Sequence, residues 1–93
     1  MIAETNIQTA QASKYIKWLC GHFNHKAKAE YDDQRGTVQF EFGHCEMQAQ
    51  PDSLFIRVQA DDAEAFERVK YVVGDHLERF AKKESIQVTW LDQ

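Results

Sequence analysis

From residue 28 to residue 60 the chain alternates apolar and polar residues, broken only by short turn sequences. A period of two is the period of a half-buried strand, and no helix can satisfy it. Residues 28–32 put Ala29 and Tyr31 on one side and Lys28, Glu30 and Asp32 on the other. Asp33-Gln34-Arg35-Gly36 reads as a turn, with Gly36 free to take a positive φ. Residues 37–42 then send Val38, Phe40 and Phe42 inward. Gly43-His44 marks a reversal or a bulge, after which Cys45, Met47 and Ala49 continue the inward set. Pro51-Asp52-Ser53 is a further turn, and Leu54, Ile56, Val58 and Ala60 form a fourth alternating strand. Connections this short join antiparallel neighbours, so the stretch predicts a meander.

A sheet with one apolar face needs a second layer, and the flanks supply it. Over residues 10–24, Ala12, Ile16, Leu19 and Phe23 fall in one narrow wedge at about 100° per residue, with Thr9 as the expected N-cap. Tyr15, Trp18 and His22 lie along one side of that wedge. Asp61-Asp62-Ala63-Glu64 has the pattern of a capping box, and Phe66, Val69, Val73, Leu77 and Phe80 follow as a second stripe. Gly74 interrupts this helix at a cost of about 1 kcal/mol against alanine, which suggests close packing. Residues 3–8, with Thr5 and Ile7 on one side, and the alternating Ile86, Val88 and Trp90 read as terminal strands. The expected fold is a two-layer α+β sandwich of order β-α-β-β-β-β-α-β. Its sheet is mainly antiparallel, both helices cover one face, and residues 1–93 form a single domain.

Composition removes several function classes. Eleven basic against fifteen acidic residues leave a net charge of −4, and the densest basic spots are Lys14 with Lys17 and the pair Lys82-Lys83. Phosphate backbones would be repelled, so no nucleic-acid partner is expected. No apolar run reaches the roughly 18–20 residues of a membrane span, and Met1 to Asn6 lacks the basic and apolar regions of a secretory signal. Two cysteines without close spacing suit a reducing cytoplasm, and a Cys20–Cys45 disulfide would require the fold to bring the two together.

The chemistry-bearing residues concentrate at the end of the first helix, in Cys20-Gly21-His22-Phe23-Asn24-His25-Lys26. Thiolate and imidazole together suit zinc or iron. On a regular helix Cys20 and His22 are about 200° apart and cannot share an ion, whereas His22 and His25 are about 60° apart and can. A metal site would therefore rest on His22 and His25, with help from His44 or Glu41, or on Cys20, His22 and His25 together if Gly21 unwinds the helix, and Cys20 and Cys45 are the second-rank candidates. The competing reading is plainer: Cys20 packs as a small hydrophobe, His22 borders the core near Trp18, and His25 is solvated. Glu30, Glu41 and Glu46, with His44 nearby, form a second candidate cluster on the polar sheet face, or else a solvated face balanced by Lys28 and Arg57. His76 reads as a histidine at the core's edge. Tyr15 and Trp18 are candidate interface residues. No Ser-His-Asp pattern and no glycine-rich phosphate loop is present.

The runs Ala12-Ser13-Lys14-Tyr15-Ile16, Leu19 through Lys26 and Phe40-Glu41-Phe42-Gly43-His44-Cys45 resemble a family of small bacterial proteins, domain of unknown function 2218. Asp62 to Ala65 and His76 to Phe80 are similar to it as well. The family has no established activity. Its members often lie near iron-uptake and siderophore-handling genes, so the resemblance implies a role in cytoplasmic iron handling. Three functions follow as expectations. The first is a non-enzymatic accessory in iron or siderophore metabolism that binds a metal, a metal complex or a partner through the end of the first helix. The second is a protein-interaction or dimerisation domain without metal. The third is a small enzyme with a cysteine nucleophile.

Overall fold

The computed structural model describes residues 1–93. The elements run β1 (Ile2–Gln8), α1 (Ala12–Phe23), β2 (Lys28–Tyr31), β3 (Arg35–Gln39), β4 (His44–Gln50), β5 (Ser53–Gln59), α2 (Ala63–Phe80), a 3-10 turn (Lys82–Glu84) and β6 (Leu91–Asp92). The six strands form one antiparallel sheet in the order β2-β3-β4-β5-β1-β6. The α+β sandwich read from the alternation is therefore the fold. The first strand does not sit at the start of the meander: β1 crosses over to pair with β5, Ala3 opposite Val58 and Ile7 opposite Leu54.

Cross-strand rows explain why the alternation is so regular. One row runs Ala29, Val38, Cys45, Val58, Ala3 and faces the helices. The adjacent row of opposite orientation runs Glu30, Thr37, Glu46, Arg57, Glu4, Leu91 and faces solvent. Ile16, Leu19, Leu54, Ile56, Val69, Val73 and Leu77 are fully buried between the layers. Each such side chain contributes about 1.5–3 kcal/mol of transfer free energy. No helix is long and apolar enough to cross a membrane.

Several local expectations are corrected. Gly36 is not a turn residue. It lies inside β3, and no residue but Ser85 has a positive φ. A Cβ at Gly36 would come within 2.8 Å of Cys20 Sγ and 2.9 Å of Ile16 Cγ2, so the glycine is there to let α1 lie close on the sheet. Tyr31 shares the face of Ala29 as expected, yet is half exposed, because β2 is the edge strand and its register partner is the bare Gly36. Thr9 does not cap α1: the helix starts at Ala12 after Gln11, and the Thr9 hydroxyl accepts from Gln11 N–H and donates to Glu84. At α2 the cap is Asp62, which accepts from Ala65 N–H at 2.8 Å; the third helical position is Ala65, so the box has no return bond from a glutamate.

Residues 86–90 form no strand. Their alternation is genuine, but the surface they meet is a helix. The backbone N–H of Val88 donates to Glu78, and a Cβ at Gly74 would lie 3.3 Å from Trp90 Nε1 and 3.6 Å from Val88. The glycine inside α2 thus permits the close approach that its cost implied, and pairing with β1 is left to Leu91 and Asp92 alone.

Candidate functional cleft

Helix α1 settles the fate of Cys20, His22 and His25 by phase. Cys20 points into the core and is fully buried, as is Cys45 on β4; both are free thiols. Burial pushes the Cys20 thiol up to about 11, and burial together with the nearby Cys20 and Glu46 charges raises Cys45 still further. An activated nucleophile or a thiolate ligand needs the opposite surroundings. Cys20 and Cys45 therefore do not join His22 and His25, and the reading of a cysteine nucleophile loses its residues.

His22 points the other way, out of the core and toward α2. Its ring centroid is 4.8 Å from that of His76 and 5.7 Å from that of Phe80. His76 lies 5.1 Å from Phe23, which meets Phe40 edge-on at 5.0 Å, and Phe40 stacks on Phe42 at 4.9 Å with 19° between the planes. At the other end Phe80 meets Trp18 at 6.1 Å and Trp18 meets Tyr15 at 6.0 Å. One aromatic ladder thus runs from the β3–β4 turn, along the seam between the helices, to the outer side of α1. Offset and edge-on pairs at these spacings are favourable beyond the area they bury, so the ladder fixes the two helices against each other.

The ladder floors a cleft of about 610 Å³ at the C-terminal end of α1. Phe23, Phe40, Phe42 and Val72 supply its apolar part, while His22, His25 and His76 bring three imidazoles. Lys26 and Arg68 add fixed positive charge against the one carboxylate of Glu41, and the Arg68 guanidinium lies 4.1 Å over the Phe42 ring. His76 Nδ1 lies 2.7 Å from the Val72 carbonyl. That bond requires the proton on Nδ1, which leaves Nε2 as the nitrogen that takes up a proton or a ligand. Partial desolvation, followed by the charges of His76, His25 and Lys26, holds the His22 imidazole below the usual histidine range. Three of the last four carbonyls of α1 are engaged: Cys20 O accepts from Asn24 N–H, His22 O from His25 N–H, and Phe23 O from Lys26 and Ala27 N–H.

The remaining candidates lie elsewhere. His44 opens β4 on the solvent-facing side of the sheet, its Nδ1 2.9 Å from Gln39 Oε1 and its Nε2 3.5 Å from Glu46, so it is not a partner of His22. The cluster of Glu30, Glu41 and Glu46 does not form. Glu30 and Glu46 are separated by Thr37 across the strands, and Glu41 belongs to the β3–β4 turn at the cleft. No group of three or more His, Cys, Asp and Glu side chains is placed to hold a metal ion. Tyr15 is buried, 4% exposed, and its hydroxyl donates to Glu84, which removes it as an interface residue. Burial, then Glu84, pushes its phenol up to about 12. Trp18 is 42% exposed, with the Lys14 ammonium 4.5 Å over its ring.

Two cleft residues escaped the sequence reading as functional groups, His76 and Arg68. The signal for them was a row at helical spacing, Arg68, Val72, His76 and Phe80, running beside the core stripe of α2. The matching row on α1, Tyr15, Trp18 and His22, was visible; that the two rows face each other was not.

The family model described as "Uncharacterized protein conserved in bacteria (DUF2218)" matches residues 4–91. Among solved structures, the NMR structure of PA4090 from Pseudomonas aeruginosa is similar. It shares 31% sequence identity, the match covers 97% of this chain and 94% of that one, and the TM-score is 0.80. No curated protein matches the chain.

Proposed function

This chain belongs to the bacterial DUF2218 family of uncharacterised proteins, and we propose that it is a non-enzymatic binding protein whose site is the cleft at the end of α1. The observation that carries the reading is the convergence of His22, His25 and His76 on an aromatic-floored cavity of about 610 Å³, the size of a small-molecule site. No cysteine, serine or threonine side chain lines it. The ligand is a metal, or a metal held in an organic complex, with iron or zinc as the metal that imidazoles accept. The donor geometry favours the complex, because no three ligating side chains are prearranged around one point and a complex brings its own donors. A role in iron or siderophore handling in the cytoplasm is consistent with that ligand and with two thiols kept free. The net charge of −4 argues against nucleic-acid partners.

The test is metal content after purification without a polyhistidine tag, followed by titration of iron and zinc. His22→Ala, His25→Ala and His76→Ala should each weaken uptake. Uptake no tighter than that of an unrelated protein, with the three variants silent, would sink the metal form of the reading.

A second reading has one observation in its favour. Trp18 leaves its ring partly in solvent at the end of the aromatic ladder, which suits a partner protein or a homodimer. Sedimentation of the wild type and of Trp18→Ala decides it, since a monomer at all concentrations removes the dimer.

A further inference from the structure

The geometry points to a flat organic anion as the occupant of the α1–α2 cleft. The inference rests on the reading of this cleft as a binding site and names the chemical class it takes.

The chain is acidic overall, at −4, yet this cavity collects Lys26 and Arg68 against Glu41 alone. Local sign opposite to the global sign is the mark of a surface arranged for a ligand of the global sign. The backbone supports it. The C-terminal carbonyls of a helix normally repel anions, but here those of Cys20 and Phe23 are engaged by the N–H groups of Asn24, Lys26 and Ala27. Most carbonyls at the end of α1 are therefore engaged, and the cation of Lys26 lies just beyond them.

The shape argument is independent of charge. Phe40 and Phe42 stack on each other, 19° apart, Phe23 meets Phe40 edge-on and His76 meets Phe23 edge-on, so the cleft wall offers aromatic edges. Ring edges of this kind meet the face of a planar body in T-shaped contact. The Arg68 guanidinium lies over Phe42, 4.1 Å from the ring centroid, so it is at hand where the aromatic wall ends. Guanidinium in that position matches a carboxylate or a similar oxyanion on the edge of a ring. A cavity of about 610 Å³ admits one or two fused or linked rings rather than a macromolecule.

Titration of 2-naphthoate against its uncharged counterpart 2-naphthalenemethanol, followed by calorimetry and by amide and aromatic NMR shifts, tests the proposal. The naphthoate is expected to bind about tenfold or more tightly than the alcohol at low salt, and to weaken as salt rises. Shifts should centre on Phe23, Phe40 and His76. Arg68→Gln and Lys26→Gln should each weaken naphthoate by roughly three- to tenfold and leave the alcohol unchanged, as expected for charge-assisted contacts. Lys82→Gln, at an exposed cation remote from the cleft, should change neither. Circular dichroism of each variant keeps a folding defect from posing as a binding one. Equal affinity for acid and alcohol overturns the anion assignment. No binding of either probe, with iron or zinc still taken up at His22, overturns this inference and spares the binding function. No binding of probe or metal overturns both.

Discussion

Cys20 and His22 are two residues apart and end in opposite environments. Cys20 is sealed between α1 and β3, so close to the sheet that Gly36 has no room for a Cβ. His22 lies open at the seam with α2, where rings meet at 5–6 Å spacings and a cavity remains between them. One side of the helix is packed to the limit and chemically silent; the other is loosely filled and carries the titratable groups. The difference teaches that a cluster of reactive residue types in sequence is not a site. Helical phase sorts such a cluster into residues that hold the fold and residues that can meet a ligand.

The largest effect should come from disturbing the packed side. Gly36→Ala places a methyl group within 2.8 Å of Cys20 Sγ and 2.9 Å of Ile16, so α1 must move off the sheet. Overpacking of this kind costs about 1–3 kcal/mol. Urea denaturation should show the midpoint fall with little change in slope; an unchanged midpoint would mean that α1 does not press on β3. Cys20→Ser attacks the same contact through polarity. A hydroxyl in that dry position has only the Ile16 carbonyl one turn back to bond and is otherwise desolvated, and about 1–3 kcal/mol should be lost. The native thiols should also resist labelling at pH 8, since the Cys20 thiol is raised to about 11 and Cys45 beyond that. Labelling rates that rise with denaturant in step with unfolding are the expected outcome, and rapid labelling of the folded protein would contradict it.

How much of this was legible in the sequence depends on distance along the chain. The meander could be read because each strand's partner is its neighbour and each alternation reports one buried face. The α1 split could be read because helical phase is local: Cys20 and His22 were separated on geometry alone. The role of Gly36 could not. Its neighbour in space is Cys20, and a glycine after Asp33-Gln34-Arg35 satisfies turn chemistry equally well. Residues 86–90 show the same limit, since alternation reveals a buried side but not whether a strand or a helix covers it. The cleft was half legible. His22 and His25 stood out, whereas His76 and Arg68 became cleft residues only when α2 was laid beside α1.

On the open side, glycine should behave in the opposite sense. Nothing lies within 4 Å of a Cβ added at Gly21, which sits in the last turn of α1 between Cys20 and His22. Gly21→Ala should therefore recover most of the helix-propensity difference, raising stability by about 0.5–1 kcal/mol. Thermal melts of the Gly36→Ala and Gly21→Ala proteins, run together, put the comparison on one scale. The same substitution on two sides of one helix contact should carry opposite signs. A loss at Gly21 would mean that the seam is as tight as the sheet contact.

The smallest effect concerns the proton. Partial desolvation and the neighbouring His76, His25 and Lys26 lower the folded-state affinity of His22 for a proton, while in the unfolded chain it titrates near 6.5. Between these two values the unfolded state binds more protons, so stability must rise with pH there. The contribution is complete above about pH 6.5 and is lost as pH falls through the folded-state value. His22→Phe keeps an aromatic ring beside His76 and Phe80 and removes the titration. Its melting temperature should equal or slightly exceed that of the wild type at pH 5.5, and the gap between the two proteins should narrow or reverse at pH 7.5. Measurements with a chelator present keep any bound metal from contributing. Parallel pH profiles for the two proteins would show that His22 senses neither His76 nor Lys26, and that the open side of α1 is as silent as the packed one.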